Sequence, residues 1–233
     1  MSGLFQQNES RLTVQWTEEM IQIASPSPLT CLSSAVVGGG MRQVTRIINR
    51  HVDKEYHAPD PSKEIADWLA ARGMSPDKTV VLLTAAYLMQ GSKQVLDAPT
   101  FGLTAWVTAG IGNAARAGKK GPTYAEPTFY TPGTINILLL IEGDVTPSAM
   151  VNGVITATEA KAAALADLGV TDQAGLLATG TTTDAVAIFA TQKRRGGITH
   201  PYAGTLSPLG QAIARAVHAG VVEAVENERR RKR

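Results

Sequence analysis

The side chains with the most chemical potential in this sequence gather in four segments rich in glycine, hydroxyls and amides, each beside an apolar run. Such a composition brings backbone close to a ligand and sets polar groups at strand ends. The first segment, Ser33-Ser34-Ala35-Val36-Val37-Gly38-Gly39-Gly40, is followed by Asn49 and His51. It reads either as a ligand loop presenting Ser34, Gly39, Gly40, Asn49 and His51 or as a plain tight turn. The second, Gly110-Ile111-Gly112-Asn113 and onward to Gly118, offers amide N–H groups suited to an oxyanion or a phosphate. It lacks the Gly-Lys-Ser/Thr closure of a P-loop, and dinucleotide-type spacing fails at Ala115.

The third segment, Pro132-Gly133-Thr134-Ile135-Asn136-Ile137, leads toward an Ala-rich stretch holding Met150, Asn152, Thr156, Thr158, Glu159 and Lys161. On a helix Asn152, Thr156 and Glu159 stand at i, i+4 and i+7, which predicts one polar stripe; the plainer reading makes Glu159 a surface acid. The fourth, Thr179-Gly180-Thr181-Thr182-Thr183-Asp184, places hydroxyls and a carboxylate at a strand mouth, or forms a hydroxyl-bonded turn with no chemistry in it.

Metal chemistry finds little support. His51 and Asp53 are separated by two positions, which is no zinc spacing, and His57 and His200 stand apart, so no metal is expected. The single cysteine, Cys31, excludes an internal disulfide and reads as a buried strand residue rather than a nucleophile. The chain carries 44% apolar and 18% charged residues, ordinary for a globular protein. Its longest apolar run, Ile135 to Ile141, is interrupted by Asn136, stops at Glu142 and falls far short of the roughly 20 residues that cross a bilayer, and the start lacks a secretory pattern. A cytoplasmic protein without a membrane partner is expected. The net charge is only +2, and its positive excess is concentrated in Arg229-Arg230-Arg231-Lys232-Arg233. This tail reads as a solvated helix end complementing the macrodipole, with no nucleic acid needed.

The elements that must position these groups form a mixed α and β (α+β) class: one domain over 1–233, its core about 30–220, with sheet packed against helices in an unresolved layer order. Strands are expected at Arg11–Trp16, Leu29–Val37, Thr79–Ala85, Gly102–Ala109, Thr134–Ile141 and Ala185–Ala190. Helices are expected after Asp60-Pro61, from the Thr146-Pro147 cap to Leu168-Gly169, and after Ser207-Pro208.

Taken in order, the segments resemble the adenosylcobinamide amidohydrolase family. The resemblance rests on Ser33-Ser34-Ala35 with Gly39-Gly40 and Asn49, Leu82-Leu83-Thr84-Ala85-Ala86, and Val107-Thr108-Ala109-Gly110-Ile111-Gly112-Asn113-Ala114. It continues through Pro132 to Ile137, Met150-Val151-Asn152, Thr158 to Leu165, Thr179 to Ala185 and Tyr202-Ala203-Gly204. The basic tail is outside that pattern. The family implies hydrolysis of the amide joining aminopropanol to the corrin ring, yielding adenosylcobyric acid; the corrinoid is the substrate, and no cofactor is implied.

Amide hydrolysis needs a nucleophile, a base, an acid for the amine and donors for the oxyanion. On that footing Glu159 is expected as general base, with Lys161 less suited because i+2 turns it to another helix face. Asp184 is expected to orient a lysine or histidine or to bind the aminopropanol hydroxyl. Thr181, Thr182 or Thr183 would donate to the oxyanion or, less favourably, attack, since an internal threonine has no base of its own. Self-cleavage does not follow from sequence, and Gly180–Thr181 is the bond to inspect. Gly110, Gly112, Asn113, Thr134, Asn136 and Asn152 complete the expected binding set. If the reading holds, the Gly38, Gly110, Asn136, Glu159 and Asp184 segments converge on one pocket. The competing readings are a corrinoid-binding protein without catalysis and a phosphate- or nucleotide-binding enzyme built on Gly110–Gly118. A homo-oligomer is left open.

Overall fold

The computed structural model describes residues 12–119 and 133–232. Arg11, Pro132 and Arg233, which the sequence reading included, lie outside them.

In chain order the elements are β1 (Thr13–Trp16), β2 (Met20–Ser33), β3 (Gly40–His51), α1 (Pro61–Ala70), β4 (Thr79–Thr84), β5 (Ser92–Ala98), β6 (Phe101–Ala109) and β7 (Ala114–Ala115). Then come β8 (Ile135–Glu142), β9 (Asp144–Val145), α2 (Pro147–Asp167), β10 (Gly180–Thr181), β11 (Ala185–Ala190), β12 (Thr199–His200) and α3 (Pro208–Lys232). The three helices start where their caps require. Asp60 accepts from the Lys63 amide, Thr146 from Ala149 and Ser207 from Gly210, and each cap is followed by proline at the first helical position.

One mixed sheet carries the fold, in the order β4-β3-β2-β11-β8-β6-β5 with β1 hairpinned on β2. β3 with β4 and β8 with β11 are parallel, the other neighbours antiparallel. Alternation along the strands sorts the core into three clusters. On β8, Ile135, Ile137, Leu139 and Ile141 join Leu103, Val107 and Ile188 under the apolar faces of α2 and α3. Leu138 and Leu140 point the other way, into a cluster with Trp106, Phe189, Ile23, Ile47 and Leu82. Ile48 and Val81 face outward again, onto Ile65 and Leu69 of α1.

Residues of β4 and β8 share that middle cluster although they are far apart in the sheet, so the sheet folds over on itself. Asn49 on β3 bonds Thr108 on β6 at 2.9 Å, across the strands β2, β11 and β8 that separate them in hydrogen-bonding order. The result is helix, sheet, sheet, helix, the two sheet layers being the halves of one continuous, folded-over strand path. This is the mixed α+β architecture expected, and the layer order is now fixed.

Besides the two-residue strands β7, β9, β10 and β12, two strands of the main sheet escaped the sequence reading. β3 alternates poorly because Val44 and Ile47 both face the middle cluster, beside a register shift in its pairing with β2 between Ala24 and Leu29. β5 is a sheet edge whose Lys93, Gln94 and Asp97 dilute its apolar signal. The strand expected at Leu29–Val37 begins earlier, at Met20, and ends at Ser33.

Cys31 is fully buried in the middle cluster, and that burial pushes its thiol up to about 12, with Arg42 only partly opposing the shift. At pH 8 in native buffer it is expected to resist iodoacetamide, becoming alkylated only after denaturation. Rapid labelling of native protein, read by intact mass, would contradict this burial. Among the described residues no helix is long and apolar enough to cross a membrane.

Candidate active site

Where the apolar alternation of the middle layer reaches one end, polar side chains take over its inward positions. Trp106 gives way to Thr108, Leu138 to Asn136 and Ile47 to Asn49, all three polar residues fully buried. They satisfy one another. Asn136 Nδ2 donates to Asn49 Oδ1 and to the Leu83 carbonyl, each at 2.8 Å, and Asn49 Nδ2 donates to Thr108 Oγ1. These bonds fix both amides and rigidify the strand ends on which the rest of the site stands.

Above them the chain runs into β8 at Gly133-Thr134 and into β11 at Thr183-Asp184, and these two strand mouths clasp each other. Thr134 Oγ1 donates to the Thr183 carbonyl at 2.7 Å and lies 3.3 Å from Asn136 Oδ1. Thr183 Oγ1 donates back to the Gly133 carbonyl at 2.8 Å. Asp184 anchors the arrangement: its Oδ1 accepts from Ile135 N at 3.0 Å and from Thr181 Oγ1 at 2.5 Å, and its Oδ2 from Thr181 N at 3.0 Å. The same Oδ2 is paired with Lys161 Nζ, the two side chains being 12% and 10% exposed. A buried pair of this kind needs further hydrogen bonds to offset its desolvation, and the backbone and hydroxyl donors on both Asp184 oxygens supply them.

Asn113 reaches in from the Gly110 loop. Its Nδ2 donates to Thr182 Oγ1 at 2.6 Å, while its Oδ1 is buried without a partner among the described residues. That oxygen lies against Gly133: a Cβ on Gly133 would stand 2.2 Å from it and 2.6 Å from the Gly110 carbonyl, so this position accepts glycine alone. The short β7–β10 pairing, Ala115 with Gly180, ties the Gly110 loop to the threonine loop.

A cavity of about 170 Å³ opens beside Gly133, lined also by Gly110, Gly112, Ala86, Tyr87 and Lys54. Its outer wall is the end of α3. The Arg231 guanidinium sits 3.8 Å above the Tyr87 ring, Lys232 pairs with the buried Glu228, and Glu228 Oε2 accepts from Ile111 N. Arg229 donates to the Leu168 carbonyl. The basic tail is therefore not simply a solvated helix end: cation–π contact and a buried carboxylate draw it onto the protein. A larger groove of about 580 Å³ lies toward the other end of β8, around Leu140, Glu142, Trp106 and Arg195, away from this cluster.

The structure thus brings together Lys161, Asp184, Thr181, Thr182, Thr183, Asn113, Thr134, Asn136, Asn49, Gly110 and Gly112. Others stay apart. Glu159 is exposed in a shallow groove between α2 and α3 with Arg215 and His218. Asn152 is half-buried, and Thr156 donates to the Ala203 carbonyl, so the expected polar stripe is no single surface. The buried side of α2 is instead the one bearing Met150, Gly153, Ala157, Lys161 and Ala164. Ser34 Oγ accepts from Val186 N where β2 meets β11, and Gly39 is pressed against the Ala35 carbonyl. Gly40 opens β3 at φ +81 and Gly38 packs against Thr79, so this segment shapes a turn. His51 bonds the Ala86 carbonyl and packs on Tyr87, at the cavity's rim.

Sequence reasoning missed Tyr87, Glu228 and Arg231, whose only signal was a lone aromatic after Ala85-Ala86 and charges at a helix end. Among the described residues no three His, Cys, Asp or Glu side chains gather as a metal ligand set. The Gly110 loop is a poor phosphate cradle: Gly110 N donates to Thr134 O, Ala114 N to Ile111 O and Ala117 N to Thr179 Oγ1, and a carboxylate occupies Ile111 N.

The sequence profile of the adenosylcobinamide amidohydrolase family matches residues 4–233. A protein named adenosylcobinamide amidohydrolase from Halobacterium salinarum is 31% identical over 216 residues, covering 89% of this chain and 84% of that protein. Its namesake from Methanosarcina mazei is 29% identical over 199 residues, covering 83% and 88%. The crystal structure of the PH0078 protein from Pyrococcus horikoshii shares the fold, with a TM-score of 0.50 and 12% identity over 97% of this chain and 83% of that one. The chain belongs to the adenosylcobinamide amidohydrolase family.

Proposed function

We propose that this chain hydrolyses the amide joining aminopropanol to a propionyl arm of the corrin ring in adenosylcobinamide, releasing adenosylcobyric acid. The observation that carries this reading is the buried Lys161–Asp184 pair bound to the Gly133–Thr134 strand mouth, beside a cavity lined by Gly110, Gly112 and Gly133. Ligand pockets for drug-sized molecules run to roughly 300–1,000 Å³. A cavity of about 170 Å³ suits the aminopropanol arm alone, with the corrin ring resting on the surface outside it.

In this scheme the scissile carbonyl sits near Gly133. Hydroxyl and amide donors from Thr183, Thr182 and Asn113 face its developing oxyanion, and Lys161 supplies positive charge held in place by Asp184. Thr181 and Asp184 position rather than attack, since the Thr181 hydroxyl is bonded to the Asp184 carboxylate. Glu159, too far out to touch this centre, has no part in the chemistry. The corrinoid is substrate, and no metal or cofactor takes part. The tail's contacts with Tyr87, Glu228 and Leu168 engage its cations on the protein itself, which fits a protein without a nucleic-acid partner.

The test is incubation with adenosylcobinamide in the presence of excess chelator, followed by mass spectrometry. A new acidic corrinoid and free aminopropanol are expected. Protection of the protein against thermal unfolding with no new corrinoid would make it a binding protein instead, and activity lost to chelator but restored by zinc would overturn the metal-free scheme.

A further inference from the structure

The clasp around Gly133–Thr134 has the layout of a peptide bond prepared for attack by its own side chain. We propose that this chain cleaves itself between Gly133 and Thr134, leaving Thr134 as a new amino terminus. A single residue, Thr183, addresses both reacting groups: its hydroxyl donates to the Gly133 carbonyl at 2.8 Å, and its carbonyl accepts the Thr134 hydroxyl at 2.7 Å. The Thr181 hydroxyl stands 3.5 Å from the same Gly133 oxygen. Beyond the bond, the Thr134 carbonyl accepts from Gly110 N at 2.9 Å and Ile135 N donates to Asp184 Oδ1 at 3.0 Å. The carbonyl to be polarised therefore has a hydroxyl donor, and the backbone after it is pinned. Gly133 itself is so tightly enclosed by Asn113 and Gly110 that no side chain fits.

The steps balance with water alone. Thr134 Oγ1 attacks the Gly133 carbonyl carbon, the oxyanion being held by Thr183 Oγ1. The Gly133 C–Thr134 N bond then breaks as the hydroxyl proton passes to the departing nitrogen, giving an ester and a free amine. Water hydrolyses the ester to the Gly133 carboxylate and restores the Thr134 hydroxyl.

An independent observation fits the product better than the precursor. Asn113 is 7% exposed and its Oδ1 has no partner among the described residues, yet it lies against Gly133. A buried orphan acceptor is costly. The ammonium group formed on Thr134 is a donor generated beside it. Resting on the function proposed above, cleavage would also supply what an internal threonine lacks, an α-amine of pKa about 7.7–8.0 adjacent to its own hydroxyl, able to activate that hydroxyl as nucleophile.

Purified full-length protein, analysed by denaturing electrophoresis, intact mass and N-terminal sequencing, is expected as two polypeptides, 1–133 and 134–233, the second beginning Thr-Ile-Asn. They should co-elute natively. Thr134→Ala is expected as one uncut 24.6 kDa chain with a native circular dichroism spectrum, and Thr134→Ser as a cut pair. Wild-type protein that stays uncut, is cut at Gly180–Thr181 instead, or is still cut after Thr134→Ala overturns the proposal. Cleavage is read without any corrinoid. A cut protein that does not hydrolyse adenosylcobinamide defeats only the proposed function, and an uncut active one defeats only the self-cleavage.

Discussion

Asp184→Asn is expected to lower kcat/KM for the corrinoid amide by roughly a hundred- to ten-thousand-fold, whereas Glu159→Gln should stay within about twofold of the unaltered protein. The carboxylate accepts from Lys161 Nζ, Thr181 N, Thr181 Oγ1 and Ile135 N, using both oxygens. A carboxamide of the same shape has one accepting oxygen, so its NH2 group must face either Lys161 Nζ and Thr181 N or Ile135 N and Thr181 Oγ1. Either way a donor meets a donor. Turning the amide oxygen to Lys161 and Thr181 N strips Ile135 N of its acceptor and frees the start of β8 to drift; turning it the other way leaves a buried lysine without its anion. Removing one partner of a buried pair costs about 3–5 kcal/mol, a large share of the roughly 5–15 kcal/mol that stabilises a typical domain. Turnover must therefore be measured on protein shown by thermal melting to be folded. Near-normal kcat/KM for folded Asp184→Asn would remove the pair from the site, and a large loss for Glu159→Gln would restore the exposed acid to it.

The contrast between those two carboxylates marks how far the sequence could be read. Spacing correctly put Glu159 and Lys161 on different faces of α2, but it could not say which face is inward. Alanine covers every side of that helix, so the apolar contrast that normally orients a helix is nearly absent, and only the packed structure shows Lys161 directed at Asp184. By comparison, the caps at Asp60, Thr146 and Ser207 were legible because capping is a local bond between residues three apart. Strands β4, β6, β8 and β11 were legible as continuous apolar runs because each is buried on both faces. The fold-over of the sheet was not. It follows from contacts such as Asn49 with Thr108, 59 positions apart, which no local pattern encodes. The same distance hid Tyr87, Arg231 and Glu228, which meet only because α3 runs back past the Gly110 loop. Small polar residues at strand mouths were legible as a group, and the partners that join them had to be seen.

That fold-over makes a second variant informative. Asn136→Leu is expected to destabilise the protein by about 3–5 kcal/mol, lowering Tm by roughly 6–20 °C at the 2–4 °C per kcal/mol usual for chains of this size. Leucine fills a similar volume but removes both donors of the amide, leaving Asn49 Oδ1 without its bond in a site with no access to water. The cost arises chiefly from the stranded partner, because an unsatisfied buried group bears its full desolvation penalty. A coupling must follow: Asn49→Leu combined with Asn136→Leu should be less destabilising than the sum of the single changes, by about 1–3 kcal/mol. Residues joined only through the intervening strands would give additive losses instead. Additivity, measured by denaturant unfolding of the four proteins, would mean that the two halves of the folded sheet are not held by this amide network, and the platform under Gly133 and Thr134 would need another explanation.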